Sequence, residues 1–209
     1  MFIEIAFENL PYYVSWISVV AFSICVHEYA HAIAAYRCGD DTAARAGHLT
    51  LNPVIQMGGR SLFMLALIGI AWGAVPVDPS RLRRRYGEAI VAIAGPLSNL
   101  CLALIAALLY ILLSATPAAN LVDIACRANG TLFVLNMLPA PMLDGWKVYA
   151  AFVPAMNRVS EKQANTASLV MLLLVFVTPF GGLLWRAGEF IAANMVGLWL
   201  TVLAPLLGS

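Results

Sequence analysis

The chain is 209 residues long, 62% apolar and only 11% charged, where soluble domains run at about 45 to 50% and about 25%. That composition excludes an ordinary water-soluble globule. The net charge of +1, with no basic tract interleaved with aromatics, gives no reason to expect nucleic acid as a partner. The charges are also segregated. Between Glu8 and Arg37 the only acidic, basic or histidine side chains are His27, Glu28 and His31. Glu88 to Asp123 encloses 34 uncharged residues, Lys162 to Arg186 encloses 23, and 20 follow Glu189. Each stretch can cross a ~30 Å hydrocarbon core as a helix, so the sequence predicts an all-α polytopic membrane protein lying in a lipid bilayer.

In chain order, transmembrane helices are expected at about 10–36, 88–113, 121–138, 163–184 and 189–207, five in all. Residues 1–26 carry Glu4 and Glu8 in place of a positive n-region, which argues for a retained first helix over a cleaved signal. Between the first two helices the texture changes. Ala46-Gly-His-Leu-Thr-Leu-Asn-Pro53 alternates polar and apolar residues like a short strand, and Gly73-Ala-Val-Pro-Val77 reads as a second, at an edge because of its proline. The apolar piece at 61–76 is short and interrupted by Gly69 and Gly73, and it reads either as a span or as a re-entrant, β-hairpin-like excursion. Cys25, Cys38, Cys101 and Cys126 form no C-x-x-C pair and are expected as small buried hydrophobes. No repeat or low-complexity linker divides the chain. Residues 1–209 read as one membrane-embedded domain, with a catalytic core at about 10–150 and C-terminal helices at about 163–207.

The first predicted helix contains His27-Glu28-Tyr29-Ala30-His31, an H-E-x-x-H pattern. Side chains four apart share one helical face, so both imidazoles can reach one Zn²⁺ while Glu28 approaches the attacking water, a spacing that fits metal-assisted hydrolysis. Two of the three histidines in the chain therefore lie deep in an apolar helix, where ionisable groups are costly and usually functional. A hydrolytic zinc site commonly takes three protein ligands. Asp144 is the stronger candidate for the third, because Pro139 and Pro141 break the preceding helix, Gly145 permits a turn, and an unwound segment is tolerated in a membrane only inside protein or along a cavity. His48, in the strand-like loop, fits packing or surface hydrogen bonding better. Asn99, about three turns into the second long helix, and Asn136 can each face substrate or serve the fold, Asn99 by bonding between helices and Asn136 by capping.

The H-E-x-x-H helix, Gly95-x-x-x-Asn99 and Asn136-x-x-Pro-x-Pro-x-Leu-Asp144-Gly145, in that order, resemble the site-2 protease family of zinc intramembrane metalloproteases. The stretches Gly39 to Gly47, Leu49 to Pro53 and Pro76-Val-Asp-Pro79 are similar to its compact prokaryotic branch without a PDZ domain. The resemblance covers about residues 20–150. It implies that His27, His31 and Asp144 bind zinc, that Glu28 is the catalytic acid/base, and that Asn99 and Asn136 bind substrate. Compact members often carry Asn where this chain has Asp78 and Pro where it has Met142, both away from the chemistry. The substrate class implied is a transmembrane protein or peptide, cut to release a regulator or to clear membrane remnants.

Chemistry and charge together select a topology. If 61–76 spanned, Asp144 would emerge on the face opposite the histidine pair, and one zinc could not bind both. If that piece dips in and returns, the ligands meet. The re-entrant reading also places Arg37, Arg45, Arg60, Arg81, Arg83, Arg84, Arg85, Lys147, Arg158 and Lys162 on one side against Arg127 and Arg186 on the other, as the positive-inside rule requires. The N-terminus is thus expected outside the cytoplasm and the zinc toward its cytoplasmic face. The competing reading is a zinc-binding membrane scaffold or metal transporter without hydrolysis. Glu28 argues against it, since binding alone does not call for a base beside the ligands. The edge-like segments 46–53 and 73–77 can hold an unwound substrate by strand addition.

Overall fold

The structure is a computed structural model and describes residues 2–83 and 86–207. Helix α1, Leu10–Cys38, opens on Asn9, whose side chain accepts from the Tyr12 N–H, with Pro11 in the first turn. It closes at Gly39, whose φ of 106° is left-handed. Over 29 residues it extends about 44 Å. Val20, Ser23, Ile24, His27, Glu28, His31, Ala32 and Ala35 are buried along one stripe, so the helical period that turns apolar residues inward also turns the ionisable ones inward.

The excursion that follows is closed at its base. Helix α2, Gly58–Ile68, has 11 residues, about 16 Å and too short to cross a bilayer. It runs back along α1: Tyr13 Oη donates to the Ala66 carbonyl (2.8 Å) and Trp16 Nε1 to the Gly69 carbonyl (3.1 Å). After Gly69 the chain returns extended through 70–78. Ser61 Oγ brackets Trp72, donating to its carbonyl and accepting from its N–H, and Ala74 N donates to the Gln56 carbonyl. At the base, Asp78 N donates to Asp40 Oδ2 (2.7 Å), Arg83 N donates to the Cys38 carbonyl (2.9 Å), and Arg81 pairs with Asp41 (2.7 Å). Asp40 is fully buried. Burial alone would raise its pKa, but bonds from the Thr42 hydroxyl, the Thr42 and Asp78 N–H groups and the nearby Arg81 hold it below the ordinary carboxylate value.

No strand forms among the described residues, which corrects the two strand-like readings. The 46–53 segment is a turn and bend that enters a short helix at Pro53–Gln56. Buried Gln56 organises it, donating from Nε2 to the carbonyls of His48 and Thr50. The 73–77 segment is extended but has no ladder partner, because the chain beside it is helical. Alternating polarity marks a surface with two environments, and a bend pinned by one buried amide meets that condition as well as a strand does.

Helices α3, Gly87–Leu112, and α4, Ala119–Asn136, form an antiparallel pair, with Asn99 meeting Asn129 and Cys126 meeting the Ala103 carbonyl. Helix α3 also runs antiparallel to α1, through His27 to Asn99 and His31 to Val91. A seven-residue break separates α4 from α5, Asp144–Ala150. Then follow α6, Glu161–Val177, and α7, Phe180–Leu207. The division between these two corrects the expected boundary near 184–189. Thr178 precedes Pro179 and is held extended, at φ −116° and ψ 168°, as a residue before proline prefers. Arg186 and Glu189 are thereby drawn inside α7. Glu189 and Asp123 clasp Arg127 at 2.8 and 2.9 Å, tying α4 to α7 where Gly130 and Gly188 let the backbones touch. Cys101 is exposed while Cys25, Cys38 and Cys126 are buried, so the expectation of burial fails at Cys101, which lies on an outward face of α3.

Among the described residues three helices are long and apolar enough to cross a membrane: Leu10–Cys38, Gly87–Leu112 and Phe180–Pro205. Helices α4 and α6, with 18 and 17 residues, are shorter. The protein is an all-α, polytopic membrane protein. Of the ten cations assigned to one side by sequence, Arg84 and Arg85 lie outside the described residues.

Candidate active site

The histidine pair and Asp144, more than a hundred residues apart in sequence, converge. Nε2 of His27 and Nε2 of His31 are 3.0 Å apart, and Asp144 Oδ2 stands 3.0 Å from the first and 3.2 Å from the second. Ligands of a tetrahedral ion bound at about 2.0 to 2.1 Å are separated by ~3.3 Å. The three donor atoms therefore form a triangle of a size that suits one zinc ion, with a side open, and they are the set among the described residues that can hold a metal. Both imidazoles are buried.

Local sequence explains each placement. A Cβ at Gly95 would collide with Nε2 of both histidines, so only glycine lets α3 approach the pair so closely. His31 Nδ1 is 2.7 Å from the Val91 carbonyl and His27 Nδ1 is 2.6 Å from Asn99 Oδ1, leaving both Nε2 atoms to face Asp144. Asp144 is the first residue of α5 and does not cap it. Its position follows from Gly145, where a Cβ would strike the Met137 and Leu138 carbonyls, and from Tyr149 Oη, which donates to the Met137 carbonyl at 2.9 Å.

Glu28 is buried beside the triangle, and its carboxylate makes no hydrogen bond among the described residues. The extended return passes directly over it: a Cβ at Gly73 would overlap the Glu28 side chain. A cavity of about 540 Å³ opens here, lined by Glu28, the ligand triad, Asn136, Met142, Lys147 and the α6 residues Ser168 and Met171. Ser168 Oγ is buried without a partner among the described residues. Asn136 ends α4 and donates from Nδ2 to the Leu132 carbonyl (3.0 Å). His48 stands apart, its ring 3.2 Å from Gln56 Oε1, in a packing role. Sequence reading singles out His27, Glu28, His31, Asn99, Asn136 and Asp144, and all six reach this cavity. It misses Gly73, the Val91 carbonyl, Asn129 and Ser168. Of these only Gly73, a glycine within an apolar run, left a trace.

Two buried histidines and a half-buried carboxylate that could hold one metal, with a glutamate at their edge, in a helical membrane protein, fit a membrane metallopeptidase. Residues 15–121 match the family described as peptidase family M50. Over 211 positions the chain is 34% identical to YwhC of Bacillus subtilis (strain 168), a candidate zinc metalloprotease, with 95% of each covered. It is 35% identical to Rip2 of Mycobacterium tuberculosis (strain H37Rv), named in the same terms, across 78% of this chain and 69% of Rip2. No solved structure matches. The chain belongs to peptidase family M50, the site-2 protease family, and is a zinc-dependent membrane metalloendopeptidase.

Proposed function

We propose that the protein is an intramembrane endopeptidase that hydrolyses peptide bonds within or near transmembrane segments of membrane-protein substrates. The observation that carries this reading is the burial of His27, His31 and Glu28, with Asp144 half-buried beside them, inside the bundle of apolar helices and next to a cavity large enough for a short unwound stretch of chain. The active site lies toward the cytoplasmic face and the N-terminus outside. The two ends of the 41–78 excursion bond to each other at the foot of α1, which supports the re-entrant path on which that sidedness rests. Helix α4 then serves as a further crossing that brings Asp144 back to the histidines.

His27, His31 and Asp144 hold the zinc, which when bound supplies a Lewis acid to polarise the scissile carbonyl and activate water. Glu28 takes a proton from the attacking water as its oxygen bonds to the carbonyl carbon. The same carboxyl delivers that proton to the amine nitrogen as the C–N bond breaks, so no covalent enzyme intermediate is needed. Asn136, at the cavity wall, binds substrate. A helical substrate must unwind to expose its carbonyl, and its freed backbone needs partners in place of water. The N–H groups of Val75 and Val77 lie along the extended return with no partner among the described residues and suit an extended peptide laid beside them.

The test is cleavage of transmembrane peptides by purified protein in detergent, with the scissile bond located by mass spectrometry. Chelator-sensitive cuts inside the apolar segment are expected. Cuts confined to soluble flanking sequence would overturn the intramembrane reading.

A further inference from the structure

The two zinc-facing imidazoles are fixed in different ways. His31 Nδ1 meets a backbone carbonyl, Val91, at 2.7 Å. A carbonyl can only accept, so the hydrogen sits on Nδ1 and Nε2 keeps its lone pair for the metal. His27 Nδ1 instead meets Asn99 Oδ1 at 2.6 Å, and an amide could in principle turn its NH₂ to the ring and force the opposite tautomer.

A buried chain of amides removes that freedom. Asn99 Nδ2 donates to Asn129 Oδ1 at 3.0 Å. Asn129 Nδ2 donates to Ser23 Oγ and to the Ala125 carbonyl, each at 2.9 Å. The Ala125 carbonyl accepts only, so it fixes which end of the Asn129 amide points to it. Asn129 must then offer Oδ1 to Asn99, and Asn99 must offer Oδ1 to His27. Asn99, Asn129 and Ser23 are all buried, at 0%, 2% and 1% exposure, where a reversed amide would set acceptor against acceptor without water to relieve it.

We propose that Asn129, acting through Asn99, is a positioning residue that fixes the ring orientation and tautomer of His27, with the Ala125 carbonyl setting the direction of the relay. Asn99 thereby takes a role behind the metal ligand, both ends of its amide being engaged. The inference rests on the three-ligand zinc site proposed above but not on any substrate, and zinc binding reads it, so it and the protease reading can fail separately.

Three variants test it in the zinc-loaded protein. Zinc affinity is measured by competition with a chromogenic chelator, and the downfield ring N–H resonances are followed in ¹⁵N-histidine-labelled protein, which has three histidines to assign. Asn129→Leu is expected to weaken zinc about ten- to a hundredfold, as loss of an outer hydrogen-bond partner typically does. It should shift the His27 Nδ1–H signal and leave that of His31 in place. Asn129→Asp, which as the neutral acid donates to Ala125 and accepts from Asn99, should bind within about threefold of wild type. Ser23→Ala should do the same, because Ala125 still directs the relay. Wild-type affinity in Asn129→Leu, equal shifts of both histidine signals, or a tenfold loss in Asn129→Asp would overturn the assignment.

Discussion

Gly95 shows most plainly how single atoms govern this site. Replacing an interior helical glycine by alanine ordinarily favours the helix by about 1 kcal/mol. Here the added methyl would occupy the space of both histidine Nε2 atoms. Gly95→Ala is therefore expected to lower the melting temperature of the zinc-free protein despite the helix gain, because both buried imidazoles must shift, and to weaken zinc at least about tenfold, a loss of the size that disturbed ligand positioning brings. Thermal melts of the metal-free protein and chelator competition check the two halves, and wild-type zinc affinity would refute the steric account. At this scale the sequence was informative where chemistry is local. The i, i+4 histidines and the proline-broken approach to Asp144 announce themselves within a few residues. The Val91 carbonyl and Asn129 do not, because a backbone oxygen carries no residue identity and an asparagine in a helix looks alike whether it bonds lipid-side, helix-side or to a relay.

Among the elements, the extended return at 70–78 was legible as apolar, glycine-rich and proline-bearing, but not as an unpaired strand, since periodicity does not report whether a neighbour exists. Proline separates its two sets of N–H groups. Val75→Pro removes a donor that is free among the described residues and should lower cleavage sharply with zinc content and melting temperature near wild type. Ala74→Pro removes the bond to the Gln56 carbonyl and should lower stability as well. Equal loss of fold in both would make the segment purely structural. The base of the same element depends on Asp40. Its folded pKa is lowered, so its contribution is present above the ordinary aspartate value of ~3.9 and is lost as pH falls through the lower folded value. Asp40→Asn should cost about 1 to 3 kcal/mol at pH 7, and the gap in melting temperature should close as pH falls through that lowered folded value. A gap independent of pH would mean that shape, not charge, holds the clamp. Helix termini followed the same pattern of partial legibility: the break at Pro179 was available from the proline rule, yet the charges at Arg186 and Glu189 looked like a membrane boundary until the pairing of Glu189 with Arg127 was seen.

For the molecule as a whole, the number of apolar stretches was readable from charge spacing, whereas which of them meet was readable only through the demand that one metal bind three distant ligands. That demand and the clustering of cations on one side both favour an excursion that enters and leaves by the same face. Single cysteines at Gly59 and Ser80, both exposed, placed in a cysteine-free background, should react with an impermeant thiol reagent from the cytoplasmic side alone. Labelling from opposite sides would show that 61–76 spans, and the shared-ligand geometry would have to be redrawn.

The central claim is that Glu28 moves the proton while His27, His31 and Asp144 hold the metal. Glu28→Gln keeps the size and position of the side chain but cannot accept and return a proton. The decisive measurement is zinc stoichiometry and peptide cleavage in that variant, purified beside the wild type. One zinc per chain with turnover reduced at least about a thousandfold, within the 10² to 10⁴ range for loss of a general acid/base, is the expected result. Cleavage at the wild-type rate, or loss of zinc along with activity, would contradict it.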